Sequence, residues 1–344
     1  MRRQVAVALT YAVEERDLER LRRVSPLVGV LPVAHLARQE YVLHSEGKES
    51  SEEYRRVKAE LDAALAQAEV LLLWREPRNL AQRIPNVKWI QLMGVGVDSL
   101  PNREVARASV IITHAAGNTS RQMAEYVLGS MLYFVKRVPE LREQQRCHQW
   151  DRRTMVHSGL AERTMGIVGL GHIGSEVAHL ARGFDMRVLA TRRSAQARRE
   201  GEQGVDLLYP PHELDHLLAA SDFVALTLPL TPETEGIINE QRLRVMKPTA
   251  YLINVSRGRL IDEPALIAAL KEGRLAGAAL DVFQKEPLPP ESELWDLPTV
   301  LISPHVAGNV DTWAHGCVEV MAKNLERYLS GKPLENMVTA ERGY

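Results

Sequence analysis

A chain of 344 residues is longer than one hydrophobic core usually spans, so two domains are expected; 45% hydrophobic against 25% charged residues excludes a disordered polypeptide. A net charge of −1 without a long basic run excludes a phosphate-tracking nucleic-acid surface, so an acidic small molecule must be met by individual arginines. The two cysteines, Cys147 and Cys317, lack disulfide-framework or metal-ligand spacing and read as buried thiols of a cytoplasmic protein, and no apolar run approaches the length of a membrane helix.

The first elements are a strand over 4–9 and a charged helix over 14–23, a pairing unlike a secretion signal. A helix over 52–68 and strands over 70–74, 89–93 and 109–113 follow, with the polar stretch 45–51 a loop. This alternation predicts a parallel α/β layer over 1–118. Within it, Met93-Gly94-Val95-Gly96-Val97-Asp98 follows a strand. Its glycines fit a plain turn, or backbone N–H groups turned outward to hold a small carboxylate.

From Asn118 the pattern changes. Met123, Val127, Leu128, Met131, Leu132 and Val135 form an apolar stripe on a long helix capped by Asn118 or Thr119, and 142–163 is a polar loop holding Trp150. Then comes Met165-Gly166-Ile167-Val168-Gly169-Leu170-Gly171-His172-Ile173-Gly174, an apolar strand breaking into G-x-G-x-x-G. Ile173, Val177 and Leu180 continue it as a helix that stops near Gly183. Strand, glycine turn and helix together make a dinucleotide pyrophosphate site: Gly169 permits the turn, Gly171 the close backbone, and Gly174 the helix packing. The second strand of such a sheet usually ends in a carboxylate that binds the ribose. Here Thr191-Arg192-Arg193-Ser194 stands there instead, which favours the 2′-phosphate of NADP(H), with NAD(H) the alternative.

Apolar strands over 186–190, 222–228, 249–254, 275–282 and 299–302 complete a doubly wound sheet, and 311–330 is an amphipathic helix returning to the first domain. The expected partition is 1–118, 119–306 and 307–344. In an open α/β sheet, ligands bind beyond the carboxyl ends of the strands. Three ionisable residues follow strands there: Arg257, Glu286 and His305. Singly they read as a solvated loop arginine, a turn before Pro287 and a structural histidine. Jointly they supply an anion clamp, an orienting carboxylate and a proton carrier, the set needed to interconvert a hydroxy acid and a keto acid beside a nicotinamide.

The blocks Asn254-Val255-Ser256-Arg257-Gly258-Arg259-Leu260-Ile261-Asp262-Glu263, Gly277-Ala278-Ala279-Leu280-Asp281-Val282-Phe283-Gln284-Lys285-Glu286-Pro287 and Ser303-Pro304-His305-Val306-Ala307-Gly308 resemble the signatures of the D-isomer-specific 2-hydroxyacid dehydrogenases. Leu228-Pro229-Leu230-Thr231-Pro232-Glu233-Thr234 and Gly331-Lys332-Pro333-Leu334-Glu335-Asn336 match as well. The resemblance implies an α/β fold of two doubly wound parallel-sheet domains, a Rossmann-type nucleotide domain inserted in a flavodoxin-like substrate domain, and a homodimer formed through the helix after Asn118. It implies that Arg257 binds the substrate carboxylate and polarises the carbonyl, His305 is the acid/base, Glu286 pairs with it, and backbone N–H groups of Val95 and Gly96 hold the carboxylate. Implied cofactor contacts are Gly169, Gly171, His172, Ile173, Gly174, Thr191, Arg192, Arg193, Leu228, Pro229, Thr234, Val255, Asp281, His305 and Gly308. Asp262 with Pro264 reads more simply as a helix start.

The expected activity is NADPH-favoured reduction of a 2-oxoacid such as glyoxylate or hydroxypyruvate. Two positions depart from the family: Arg192 replaces the usual acid, and Thr227 stands where many relatives carry histidine. The alternatives are a phosphoglycerate dehydrogenase-like enzyme, for which Arg75 and Arg78 are the candidate extra cations, and a non-catalytic nucleotide-sensing binding protein. Glu286 argues against the formate dehydrogenase branch, which carries glutamine there. The short tail after Asn336 leads to the expectation of no appended regulatory domain.

Overall fold

The computed structural model describes residues 4–94 and 110–338. The chain divides into two compact units, Met1–Asn118 with Asp311–Tyr344, and Thr119–Val310. The first contains β1 (Val5–Leu9), α1 (Glu15–Arg22), β2 (Val28–Pro32), α2 (Ala34–Ser45), α3 (Glu52–Gln67), β3 (Val70–Leu73), α4 (Leu80–Arg83), β4 (Trp89–Leu92) and β5 (Ile111–Thr113). These strands pair in the order β2-β1-β3-β4-β5, all parallel. All four residues of β3, Val-Leu-Leu-Leu, are buried, the composition expected of a parallel strand with helices on both faces. The helix α3 starts at Ser51, whose hydroxyl accepts from the Tyr54 N–H at 3.0 Å, with Glu52 and Glu53 favourably placed in the first turn. Arg83 is almost wholly buried; its guanidinium reaches Glu40 at 3.0 Å and also bonds Asp62, so the charge is paired rather than stranded.

The second unit contains α5 (Ser120–Val135), α6 (Val138–Arg146), β6 (Thr164–Val168), α7 (His172–Arg182), β7 (Arg187–Thr191), β8 (Arg199–Glu200), β9 (Leu207–Tyr209), α8 (Leu214–Ala220), β10 (Phe223–Leu226), α9 (Glu240–Val245), β11 (Tyr251–Asn254), α10 (Glu263–Lys271), β12 (Gly277–Leu280) and β13 (Val300–Ile302). Its sheet runs β13-β12-β11-β10-β6-β7-β9-β8, parallel throughout except for the β8–β9 pair. Strand order reverses between β6 and β10, the position at which an open α/β sheet offers a ligand crevice. Buried side chains from β6, β7, β10 and α5 share one core, and the rings of Phe134, Tyr251 and Phe223 stack at centroid distances of 4.5 and 5.4 Å.

Helix α11 (Trp313–Leu329) belongs to the first unit, where Val318, Met321 and Leu325 enter the same core as Val7, Leu72 and Trp89. Three local expectations change. Residues 142–146 are helical, not loop, because α6 buries no residue and so carries no apolar period; Arg137–Glu140 and Arg146–Glu143 pairs hold it instead. Neither proposed cap closes α5: Thr119 makes no capping bond, and the Asn118 amide donates to the Trp313 carbonyl at 2.9 Å and to Cys317 at 3.1 Å. Only Cys317 is a buried thiol, pushed up to about 12 by burial, whereas Cys147 is exposed beside Glu143.

Candidate active site

The three motif glycines meet three different constraints. Gly169 has φ +105°, which disfavours any side chain, and a Cβ there would lie 2.7 Å from that of Leu228. Gly174 lets α7 lie against β6, since a Cβ would approach the Gly169 carbonyl oxygen to 2.5 Å. A Cβ on Gly171 would meet nothing within 4 Å. The open space therefore begins at the residue that caps α7, where free N–H groups point, and this fits a pyrophosphate. Thr191 is buried, and its hydroxyl accepts from the Gly169 N–H at 3.3 Å, so it fastens the turn from below. Thr227, the residue just after β10, also fastens this turn, its hydroxyl donating to the Gly169 carbonyl at 2.8 Å.

Arg192 and Arg193 emerge directly after β7, next to this turn. The Glu233 carboxyl, held below its usual range by the Thr231 hydroxyl, also senses the charge of Arg193. Thr234 closes the neighbouring 229–234 turn by donating to the Pro229 carbonyl at 2.7 Å. Among the described residues, no group of three or more His, Cys, Asp or Glu is placed to hold a metal ion.

Arg257, Glu286 and His305 each follow one of three adjacent parallel strands, β11, β12 and β13. Neighbouring strands are about 4.8 Å apart, so the three loops start side by side. The Arg257 turn is shaped by Asn254, wholly buried, whose amide donates to the Arg257 carbonyl at 2.9 Å and whose oxygen accepts from the Ser256 N–H at 3.0 Å. The Ser256 hydroxyl bonds the Leu228 carbonyl, tying this turn to the end of β10. Gly258 is required by close packing: a Cβ would fall 1.9 Å from the Phe283 carbonyl carbon, so the Arg257 and Glu286 loops press backbone to backbone.

Glu286 is fixed at one oxygen by the Phe283 N–H at 3.0 Å; its other oxygen lies 2.8 Å from His305 Nδ1. With Nδ1 so engaged, Nε2 is the ring nitrogen left for a substrate, and the His305 side chain is half exposed. His305 itself sits at φ +57°, a left-handed conformation costly for a non-glycine residue. What holds it there is Asp281, 1% exposed, which accepts from Ser303 Oγ at 2.5 Å, Val306 N at 2.8 Å and Ala307 N at 3.0 Å. The Asp281 carbonyl also accepts from the His305 N–H at 2.8 Å. Tyr126 of α5 reaches the same Ser303 hydroxyl at 2.6 Å, and burial pushes its phenol up.

Sequence reasoning did not single out Asn254, Ser303 or Tyr126, and it gave Asp281 a place near the nicotinamide without this clamp. The one available signal was that Asn254 and Asp281 are polar residues ending buried apolar strands. Val95 and Gly96 lie outside the described residues. Val255 is buried, and Gly308 lies against Thr119 and Met123 of α5.

Residues 128–307 match the family model for the D-isomer specific 2-hydroxyacid dehydrogenase NAD binding domain. A glyoxylate reductase of Korarchaeum cryptofilum is 37% identical over 261 residues, 75% of this chain and 77% of that protein. Among solved structures, a D-isomer specific 2-hydroxyacid dehydrogenase from Xanthobacter autotrophicus Py2 in complex with NADPH and MES superposes with a TM-score of 0.77 at 30% identity, covering 99% of this chain and 100% of that one. An NADPH-dependent glyoxylate/hydroxypyruvate reductase from Sinorhizobium meliloti, in complex with NADP and sulfate, gives 0.76 at 27% identity, covering 99% and 100%. With the glycine turn, the reversed strand order and the Arg257, Glu286 and His305 loops, these likenesses show that the chain belongs to the D-isomer-specific 2-hydroxyacid dehydrogenases and is an NAD(P)-dependent enzyme of that family.

Proposed function

We propose that the protein reduces glyoxylate, hydroxypyruvate or a related short 2-oxoacid to the D-2-hydroxyacid, with NADPH preferred over NADH. The observation that carries this reading is the 2.8 Å contact between His305 Nδ1 and Glu286, which leaves Nε2 to serve as the acid. A reduced nicotinamide, when bound, supplies hydride to C2. His305 Nε2 delivers the proton to the carbonyl oxygen as that oxygen gains negative charge, and in the reverse direction the neutral Nε2 takes the hydroxyl proton. Glu286 keeps the ring in one orientation through both states, so no rotamer search precedes proton transfer. Arg257 pairs with the substrate carboxylate and draws electron density from the carbonyl.

The preference for NADPH rests on Arg192 and Arg193 at the end of β7, where a ribose-binding carboxylate would repel a 2′-phosphate. Names of similar proteins support the substrate class: the Korarchaeum relative is a glyoxylate reductase, and the Sinorhizobium neighbour is NADPH-dependent. A homodimer through α5 and the segment beyond it is supported by Trp150 and Val156, 94% and 76% exposed on this single chain. A cytoplasmic location fits two free cysteines, and no helix among the described residues is long and apolar enough to cross a membrane.

The test is a panel of 2-oxoacids assayed against NADPH and NADH at matched concentrations, with gel filtration for the dimer. Glyoxylate or hydroxypyruvate should turn over at least tenfold faster with NADPH, a difference of about 1.4 kcal/mol. Cofactor binding without turnover of any 2-oxoacid would instead assign the protein a sensing role.

A further inference from the structure

The loop that carries His305 rests on two supports, and only one of them belongs to the sheet. Asp281, the residue after β12, accepts the Val306 and Ala307 N–H groups on its carboxylate at 2.8 and 3.0 Å, and its backbone carbonyl accepts the His305 N–H at 2.8 Å. The second support is α5. Ala307 enters the same core as Ala124 and Val127 of that helix, and a Cβ on Gly308 would lie 3.3 Å from the Thr119 hydroxyl and 3.6 Å from the Met123 side chain. At the other end of the loop, the phenol of Tyr126 meets the Ser303 hydroxyl at 2.6 Å. The first turns of α5 therefore follow the loop from Ser303 to Gly308, on both sides of His305.

The hydrogens of the Tyr126 contact follow from its neighbours. Ser303 Oγ lies 2.5 Å from Asp281 Oδ1, an oxygen that already accepts the Val306 N–H, so it takes the one hydrogen that the Ser303 hydroxyl has. Toward Tyr126 the Ser303 oxygen can then only accept, and the phenol is the donor. Burial pushes the Tyr126 phenol up, so it keeps that hydrogen at neutral pH. Tyr126, Ser303 and Asp281 thus form one directed chain in which each bond polarises the next, and it ends on the oxygen that holds Val306. The helix end of the chain is fixed as well: the Tyr126 carbonyl accepts from the Ser130 hydroxyl at 2.9 Å, and Phe134 of α5 stacks on Tyr251 of β11.

We propose that Tyr126 is a positioning residue for His305: its phenol orders the Ser303 hydroxyl against Asp281 and so keeps the left-handed His305 backbone in place. A phenylalanine ring would pack between helix and loop equally well, so the positional role belongs to the hydroxyl. The His305 backbone, at φ +57°, relaxes toward a commoner conformation whenever the bonds that hold it slacken, and this is why a contact two residues away matters to the ring. The kinetic consequence rests on the proposed reading of His305 as the acid; the hydrogen-bond chain does not.

The test uses the full-length protein and the variants Tyr126→Phe, Ser303→Ala and both together, with Tyr133→Phe, which packs edge-on against Phe134 on the same helix, as the control. Hydrogen exchange read by mass spectrometry follows the amides of His305, Val306 and Ala307 without turnover, and steady-state kinetics with NADPH and glyoxylate follows the reaction. Tyr126→Phe should speed exchange across 305–307 about fivefold and lower kcat about tenfold, while KM for NADPH stays within about twofold. Ser303→Ala should lose at least as much. Because the two hydroxyls act in series, the double variant should match Ser303→Ala rather than multiply the two losses, and Tyr133→Phe should match the parent. Unchanged exchange and kcat in Tyr126→Phe, or losses that multiply in the double variant, overturn the proposal. A lower Tm with kcat intact overturns it too, since the contact would then serve stability alone. Exchange that responds as expected in a protein that reduces no 2-oxoacid would overturn the reductase reading and leave the hold on the His305 turn standing.

Discussion

At the carboxyl ends of β11, β12 and β13 the proposed chemical groups are braced from behind: Glu286 and the clamped left-handed turn hold His305, Phe283 N–H holds Glu286, and buried Asn254 shapes the Arg257 turn. In the first unit, Arg38 on α2 and Arg78 in the segment after β3 stand exposed at the surface with no such scaffold. Proton transfer tolerates only tenths of an ångström of misplacement, so acid and carbonyl must be held before the reaction begins. A surface cation away from the reacting atoms needs no such positioning, because solvent satisfies its donors. One fold therefore concentrates buried polar residues behind the proposed chemical groups and leaves the cations elsewhere to solvent.

The sharpest break in this contrast is at the acid itself. His305→Gln should lower kcat by about 10²- to 10⁴-fold while the NADPH Kd stays within a few-fold, read by stopped-flow and fluorescence titration. Wild-type turnover in that variant would hand the proton to another group. Asp281→Asn attacks the brace: it keeps the shape, sets an NH2 donor against a backbone N–H, that of Ala307 at one oxygen or of Val306 at the other, and should cost about 1–3 kcal/mol of stability. Its kcat should fall about tenfold through misplacement of His305, and thermal unfolding beside kinetics will show whether both losses occur. If stability falls and kcat does not, the clamp serves folding only.

Arg192→Asp should raise the NADPH Kd about 10- to 100-fold and change NADH by far less. Equal losses for both cofactors would remove Arg192 from the 2′-phosphate. The smallest effect concerns a brace away from the site. Burial raises the Asp222 carboxyl, but the Lys247 ammonium at 2.8 Å and the Thr164 N–H at 2.8 Å outweigh this and hold it below the usual range. A carboxyl lowered in the folded state stabilises above its unfolded pKa of about 3.9, and that stability is lost as pH falls through the folded value. Asp222→Asn should therefore lower Tm at pH 7 by the equivalent of about 1 kcal/mol, with the gap closing below about pH 4.

The same division explains what could be read from the sequence. The glycine motif and Arg257, Glu286 and His305 follow apolar strands at fixed offsets, so their positions were legible once the strands were. Their braces were not: Ser303 and Tyr126 meet across 177 positions, and nothing local marks a partner so distant. In the fold, β3 and β6 declared themselves by unbroken apolarity, and Asp262 opens α10 by accepting from the Ala265 N–H, as its place before Pro264 suggested. Strand β2 ends in proline and α2 mixes polar and apolar residues with little period, so 28–45 gave no clear signal. Nor did β9, three residues long, or α6, which buries nothing.

The first unit is assembled from both ends of the polypeptide, and α11 fills the core beside Val7, Leu72 and Trp89. On the ribosome those apolar residues emerge about 230 to 310 positions before the helix that covers them, whereas the second unit is complete in sequence by Val310. Vectorial synthesis thus inverts the usual order: the nascent amino-terminal lobe cannot complete its core until α11 has cleared the exit tunnel.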